Sequence, residues 1–180
     1  MTKRYVPWLL ILPLFFIAVN CKKERKTTTI PLIDELPRAR IIAKSSDLVS
    51  EKSYNIAGDK RRVLFMHPPA RVEYDVLVPA AAKLSFGFTL SPGVWNRAGD
   101  GVLFKVELDE GTGETVKLFS QYINPKAVEP DRKWHDAEVD LSLYEGQRVT
   151  LIFSTDPGPE GNNAFDHAAW SEPTLTGLLW

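Results

Sequence analysis

The sequence predicts an all-β fold, a two-sheet antiparallel jelly-roll sandwich, and three observations predict it. Beyond residue 60 short apolar runs alternate with polar residues, turn signals separate the runs, and no sustained period of 3.6 calls for a long helix.

Taken in order, residues 27–40 (TTTIPLIDELPRAR) hold a Thr run, Pro31 and Pro37, and read as a linker with an extended entry segment at residues 39–43. Residues 45–60 read as one helical turn and a loop. Residues 62–66 (RVLFM) and 71–78 (RVEYDVLV) are strands flanking His67-Pro68-Pro69, whose prolines cannot donate to a ladder and so mark a turn. Residues 83–90 put Leu84, Phe86, Phe88 and Leu90 on one face, with Ser85, Gly87 and Thr89 on the other, as a half-buried strand requires. Residues 102–108 (VLFKVEL) alternate in the same way, and a Gly111-Thr112-Gly113 turn leads to residues 115–121 (TVKLFSQ). Strands at 134–141, 148–154, 164–170 and 173–179 complete the set.

The chain has 180 residues, with 22 Lys+Arg against 23 Asp+Glu and one Cys. A single Cys excludes an internal disulfide and a Cys-based zinc site. Near-neutral charge excludes a general nucleic-acid binder, which needs clustered cationic excess. The apolar residues are unevenly spread. Lys3 and Arg4 precede an uncharged run, residues 6–19 (VPWLLILPLFFIAV), that would rise about 21 Å as a helix, short of a hydrocarbon core of about 30 Å. Such a leader reads as a secretory signal.

The residues that close the leader, Ala18-Val19-Asn20-Cys21, resemble the lipobox of bacterial lipoproteins in its looser spirochaete and diderm form. The resemblance implies a signal peptide at 1–20, a lipidated Cys21 with its tether at 21–40, and a β-sandwich domain at 41–180. Membrane lipid is then a partner through acylated Cys21. Lys22-Lys23, without an Asp after the Cys, implies the outer membrane where the organism has one. An uncleaved anchor and a plain secretory signal are the alternatives. Beyond the basic stretch Lys22-Lys23-Glu24-Arg25-Lys26, residues 27–180 hold 16 Lys+Arg and 22 Asp+Glu, a net of −6.

A second resemblance lies in the stretches Gly99-Asp100-Gly101-Val102-Leu103-Phe104, Trp134-His135-Asp136-Ala137-Glu138-Val139-Asp140-Leu141-Ser142 and Gly146-Gln147-Arg148-Val149-Thr150-Leu151. Thr155-Asp156-Pro157-Gly158-Pro159 and Asn163-Ala164-Phe165-Asp166-His167-Ala168-Ala169-Trp170 follow. This order resembles galactose-binding-like jelly rolls, among them a family of bacterial carbohydrate-binding modules. The resemblance spans roughly residues 60–176 and implies the sandwich fold and a non-catalytic binding role.

Three groups of residues are candidates for chemistry. Asp166 sits among apolar residues, and a buried carboxylate must be hydrogen-bonded, paired or bound to a cation. It either ties down a loop through backbone N–H groups or joins Asp100 and loop carbonyls in holding a structural calcium. Trp95, with Asn96 and Arg97, fits a sugar-stacking platform, and Asn162 and Asn163 would join from the same end of the sandwich. The alternative for Trp95 is a lid over the core. His67, His135 and His167 show no metal-triad spacing, and no nucleophile or phosphate-loop motif occurs. No catalytic residue is therefore expected. The leading function is glycan binding at the cell envelope. A structural or protein-interaction role with an envelope partner is the alternative, and an accessory domain beside a separate hydrolase is the third.

Overall fold

The computed structural model describes residues 26–179. The signal segment 1–20, Cys21 and the basic residues 22–25 lie outside the described residues. Eleven strands form two antiparallel sheets: β1 Thr27–Pro31, β2 Arg40–Ala43, β3 Val49–Ile56, β4 Asp59–Met66, β5 Ala70–Leu77, β6 Ala80–Leu90, β7 Val102–Asp109, β8 Thr115–Ile123, β9 His135–Asp140, β10 Arg148–Pro157 and β11 Ala168–Leu178. One sheet is ordered β3-β4-β11-β6-β9, with β1 also paired to β11; the other is ordered β2-β5-β10-β7-β8. Helical structure among the described residues consists of three-residue 3-10 turns. The fold is the expected all-β sandwich.

The alternation dictates which face is buried. In β7, Val102, Phe104, Val106 and Leu108 are fully buried while their neighbours are half-exposed. In β6, Leu84, Phe86, Phe88 and Leu90 face the opposite sheet as their spacing requires. Between the sheets Trp170 of β11 is fully buried, its ring 5.2 Å from Phe86, 5.0 Å from Phe104 and 5.1 Å from Phe153, each edge to face. Each such ring contributes about 1.5–3 kcal/mol through burial, with a further increment of about 0.5–1.5 kcal/mol for a well-oriented aromatic pair.

Three segments depart from expectation. Residues 27–31, expected as linker, form β1 and pair with β11 from Thr27↔Leu178 to Pro31↔Thr174. Leu32 and Ile33 then enter the core, with Leu32 N–H donating to Pro173 O at 2.8 Å. The folded domain therefore includes residues 27–40, and the boundary expected at residue 41 moves to the start of β1. Residues 49–56, expected within a turn and loop, form the edge strand β3, whose Glu51, Lys52 and Ser53 are exposed. Charged side chains suit an edge because they oppose pairing with another chain. Finally, the two strands expected at 164–170 and 173–179 are one, β11, with a bulge between Ser171 and Thr174.

β11 begins at Ala168, beside the loops after β6, β8 and β10, and ends at Leu178, against the first residue of β1. The loop cluster and the start of the folded domain therefore lie at opposite ends of the sandwich.

Candidate functional site

Three loops meet at the first of these ends: residues 91–101 after β6, 124–134 after β8 and 158–167 after β10. Trp95 lies in the first and is half-buried, packed against the core, with its Nε1–H donating to Leu90 O at 2.9 Å. Arg132 Nη2 donates to the Trp95 carbonyl at 3.2 Å, joining the second loop to it. The indole therefore closes the end of the core, and the ring expected as a platform has its polar edge engaged. Asn96 and Arg97, beside it, are exposed.

The third loop supplies an aromatic that the sequence reading placed within a strand. Phe165 is 46% exposed and has φ +58°, a left-handed conformation that costs a bulky residue about 1–2 kcal/mol. The Arg97 guanidinium sits 5.5 Å from its ring centroid, so the first and third loops touch through a cation and a π face. Asn162 is spent on the loop itself, and Asn163 ties the loop to the turn between β4 and β5. Asn162 Oδ1 accepts from Ala164 N–H at 2.9 Å, and Asn163 Nδ2 donates to Pro68 O at 3.1 Å. The structure thus brings Trp95, Asn96, Arg97, Asn162 and Asn163 to one end, with only Asn96 and Arg97 of the five free of backbone-organising work.

Asp166 is fully buried and Asp100 is 6% exposed. Asp100 Oδ2 accepts from Glu160 N–H at 2.6 Å, and its backbone carbonyl accepts from the Tyr122 hydroxyl. Asp166 Oδ1 accepts from Lys126 Nζ at 2.7 Å, an ion pair with both side chains inside the protein. Burial pushes the Asp166 carboxyl above the usual carboxylate range, the Lys126 ammonium pulls it back, and Asp100 adds like-charge repulsion.

A calcium ion takes about six to eight oxygens at one point. No group of three or more His, Cys, Asp or Glu side chains converges among the described residues. The positive charge beside Asp166 already belongs to Lys126. Asp100 and Asp166 therefore do not fit the calcium site expected from the sequence. The partner of Asp166 Oδ1 is an ammonium 40 residues earlier in the chain, not the backbone N–H expected.

The histidines are less scattered than their spacing suggests. His67 and His167 lie with ring centroids 6.1 Å apart, and His135 stacks on Phe88 at 5.1 Å. Burial, with positive charge from His67, Lys52 and Lys126, holds the His167 imidazole below its ordinary value.

Two other surfaces were candidates by shape. A cleft of about 610 Å³ at the opposite end is lined mainly by apolar groups such as Ile30, Ala39, Val76 and Leu179. Its charged rim is paired, Glu35 with Arg38 at 2.8 Å and Asp75 with Arg148 at 3.2 Å. On the outer face of the first sheet, Arg61 pairs with Asp136 and Asp59 and covers Trp134 at 4.8 Å, above the bare backbone of Gly87. The charged side chains of both sets are paired, although the cleft also holds the unpartnered Tyr74 hydroxyl and the exposed Leu77 and Leu179, whereas the loop end presents an exposed ring beside an exposed guanidinium.

No family model matches the chain. A curated relative from Archaeoglobus fulgidus, described as an uncharacterized protein, is 43% identical over 144 residues, which is 76% of this chain and 35% of that protein. The chain thus spans about a third of the length of the curated relative it matches. Among solved structures, the CBM51-2 and INT domains of Clostridium perfringens ZmpB match at TM-score 0.59 and 17% identity, over 84% of this chain and 32% of that one. CBM51 from Clostridium perfringens GH95, in complex with methyl-galactose, matches at TM-score 0.56 and 15% identity, over 82% and 99%. The tandem CBM51 modules of a Streptococcus pneumoniae family 98 glycoside hydrolase match at TM-score 0.54 and 14% identity, over 83% and 47%. At these identities the likeness shows the fold alone, a two-sheet antiparallel jelly-roll sandwich.

Proposed function

We propose that the chain is a non-catalytic carbohydrate-binding domain whose ligand meets the loop end at Phe165, Arg97 and Asn96. The observation that carries this reading is Phe165, an exposed aromatic held in left-handed backbone with Arg97 against its ring. Sugar C–H faces pack on aromatic rings, and guanidinium and amide groups satisfy ring hydroxyls, so the three residues supply the chemistry that a pyranose requires. The presence of methyl-galactose in a solved structure of the same fold favours this class of ligand.

A glycan array followed by titration calorimetry with methyl-galactose tests the reading. Binding that is lost in Phe165→Ala, with the fold intact, supports it. An array silent across glycans, together with co-purification of an envelope protein, supports the alternative of a protein-interaction domain.

We further propose that Cys21 is acylated and holds the domain on the outer face of a membrane. Each buried CH₂ of an acyl chain contributes about 0.8 kcal/mol, so two or three chains anchor firmly. Incorporation of radiolabelled palmitate, abolished by Cys21→Ala, is the expected result.

A further inference from the structure

Lys126 combines three properties rarely found in one lysine. Its side chain is 2% exposed, it pairs with a carboxylate that is fully buried, and its second bond goes to a backbone carbonyl, Ala164 O at 2.9 Å. Ordinary lysines keep the ammonium in water, because desolvating a charge is costly unless it is paired and hydrogen-bonded. Here the space for the ammonium is made by Gly99, at φ +145°, where any Cβ would overlap Nζ.

We propose that the Lys126 ammonium is a resident cation that organises the loop end in place of a metal ion, leaving the domain indifferent to calcium. Three chain segments converge on it: Gly99-Asp100 from the loop after β6, Lys126 itself from the loop after β8, and Ala164–Asp166 from the loop after β10. Ala164 and Asp166 are the two neighbours of Phe165, so one ammonium clamps the peptide on both sides of the exposed ring. Without that charge the fully buried Asp166 carboxylate would lose its ion-pair partner while still feeling the repulsion of the Asp100 carboxylate. Asp100 Oδ1 and Asp166 Oδ2 are buried and accept no hydrogen bond from the protein, so the Lys126 ammonium is the cation the protein itself supplies at this point. A divalent ion brought to the same place would meet a fixed positive charge. The cation is therefore covalently attached, carries one charge, and cannot be removed by a chelator.

The clamp does not depend on what the loop end binds, and its test is separate. Thermal melting of the wild-type protein in millimolar calcium and in EDTA is expected to give the same Tm. A rise with calcium, or a fall with EDTA, overturns the proposal. Lys126→Met keeps the length of the side chain and removes the charge. A drop in Tm on the order of 10 °C is expected, because breaking a buried pair leaves its partner charged and alone. Adding Asp166→Asn to Lys126→Met removes the stranded charge and is expected to recover part of that loss. A double variant no more stable than Lys126→Met would show that Lys126 acts through packing alone, and would also overturn the proposal. If Lys126→Met fails to fold, the calcium and EDTA comparison on the wild-type protein still decides.

Discussion

Gly158 packs directly against the backbone carbonyl of Asp100, so closely that a Cβ on residue 158 would overlap that oxygen. The contact sits where β10 ends and β7 is about to begin, next to the Pro157↔Val102 pair. It is continued by the bond from Glu160 N–H to Asp100 Oδ2 at 2.6 Å.

Gly158→Ala therefore forces apart two backbone segments that are each fixed by a strand. Overpacking of this kind costs about 1–3 kcal/mol, and chemical denaturation is expected to show a loss in that range. A variant as stable as the wild type would mean that the two loops can separate freely.

Phe165→Gly separates conformational cost from binding. Glycine adopts φ +58° without the Cβ clash, so stability is expected to stay level or rise by up to about 1 kcal/mol. Glycan affinity should fall about tenfold, equivalent to one contact of about 1.4 kcal/mol. Unchanged affinity would remove Phe165 from the ligand site.

His167 gives the domain a pH dependence of definite sign. Its folded-state value lies below that of the free imidazole, about 6.5. Protons therefore bind the unfolded chain more readily between the two values. The contribution is complete above about pH 6.5 and is lost as pH falls toward the lowered folded-state value. Tm measured from pH 7.5 downward should fall through this window, and His167→Gln should flatten the slope. The raised carboxyl of Asp166 acts in the opposite sense at more acidic pH.

Removing all residues before Arg40 tests where the domain begins. Such a chain lacks β1, uncovering the end of β11, and lacks the buried side chains of Leu32 and Ile33. Loss of a buried Leu or Ile side chain costs about 2–5 kcal/mol each, enough to unfold a domain of ordinary stability. Soluble, cooperatively melting protein starting at Arg40 would show that β1 is dispensable.

The strands legible in the sequence are those with one buried face. Residues 83–90 alternate cleanly because every second side chain meets the opposite sheet. β1 and β3 were illegible for the converse reason. TTTIP and VSEKSYNI pair through their backbones while most of their side chains remain in or near solvent, so no period betrays them. Asp166 could be read as buried from its apolar neighbours, but nothing local named Lys126, because the pair closes across 40 residues. Trp95 was read as platform or lid from composition alone, and only the bond to Leu90 O decides how its indole is used. Phe165 reads as a strand residue from its neighbours, because its left-handed backbone leaves no trace in residue type.

The opposed placement of β1 and the loop cluster has a mechanical consequence. At about 3.3 Å per residue, the eleven residues of β11 span about 33 Å from Ala168 to Leu178. Lys26, the residue before β1, therefore stands at one end of the sandwich and the Phe165 loop at the other, separated by nearly the length of that strand. If Cys21 is acylated as proposed, this placement lets the Phe165 loop reach outward from the surface on the side of Lys26, as the tip of a short arm.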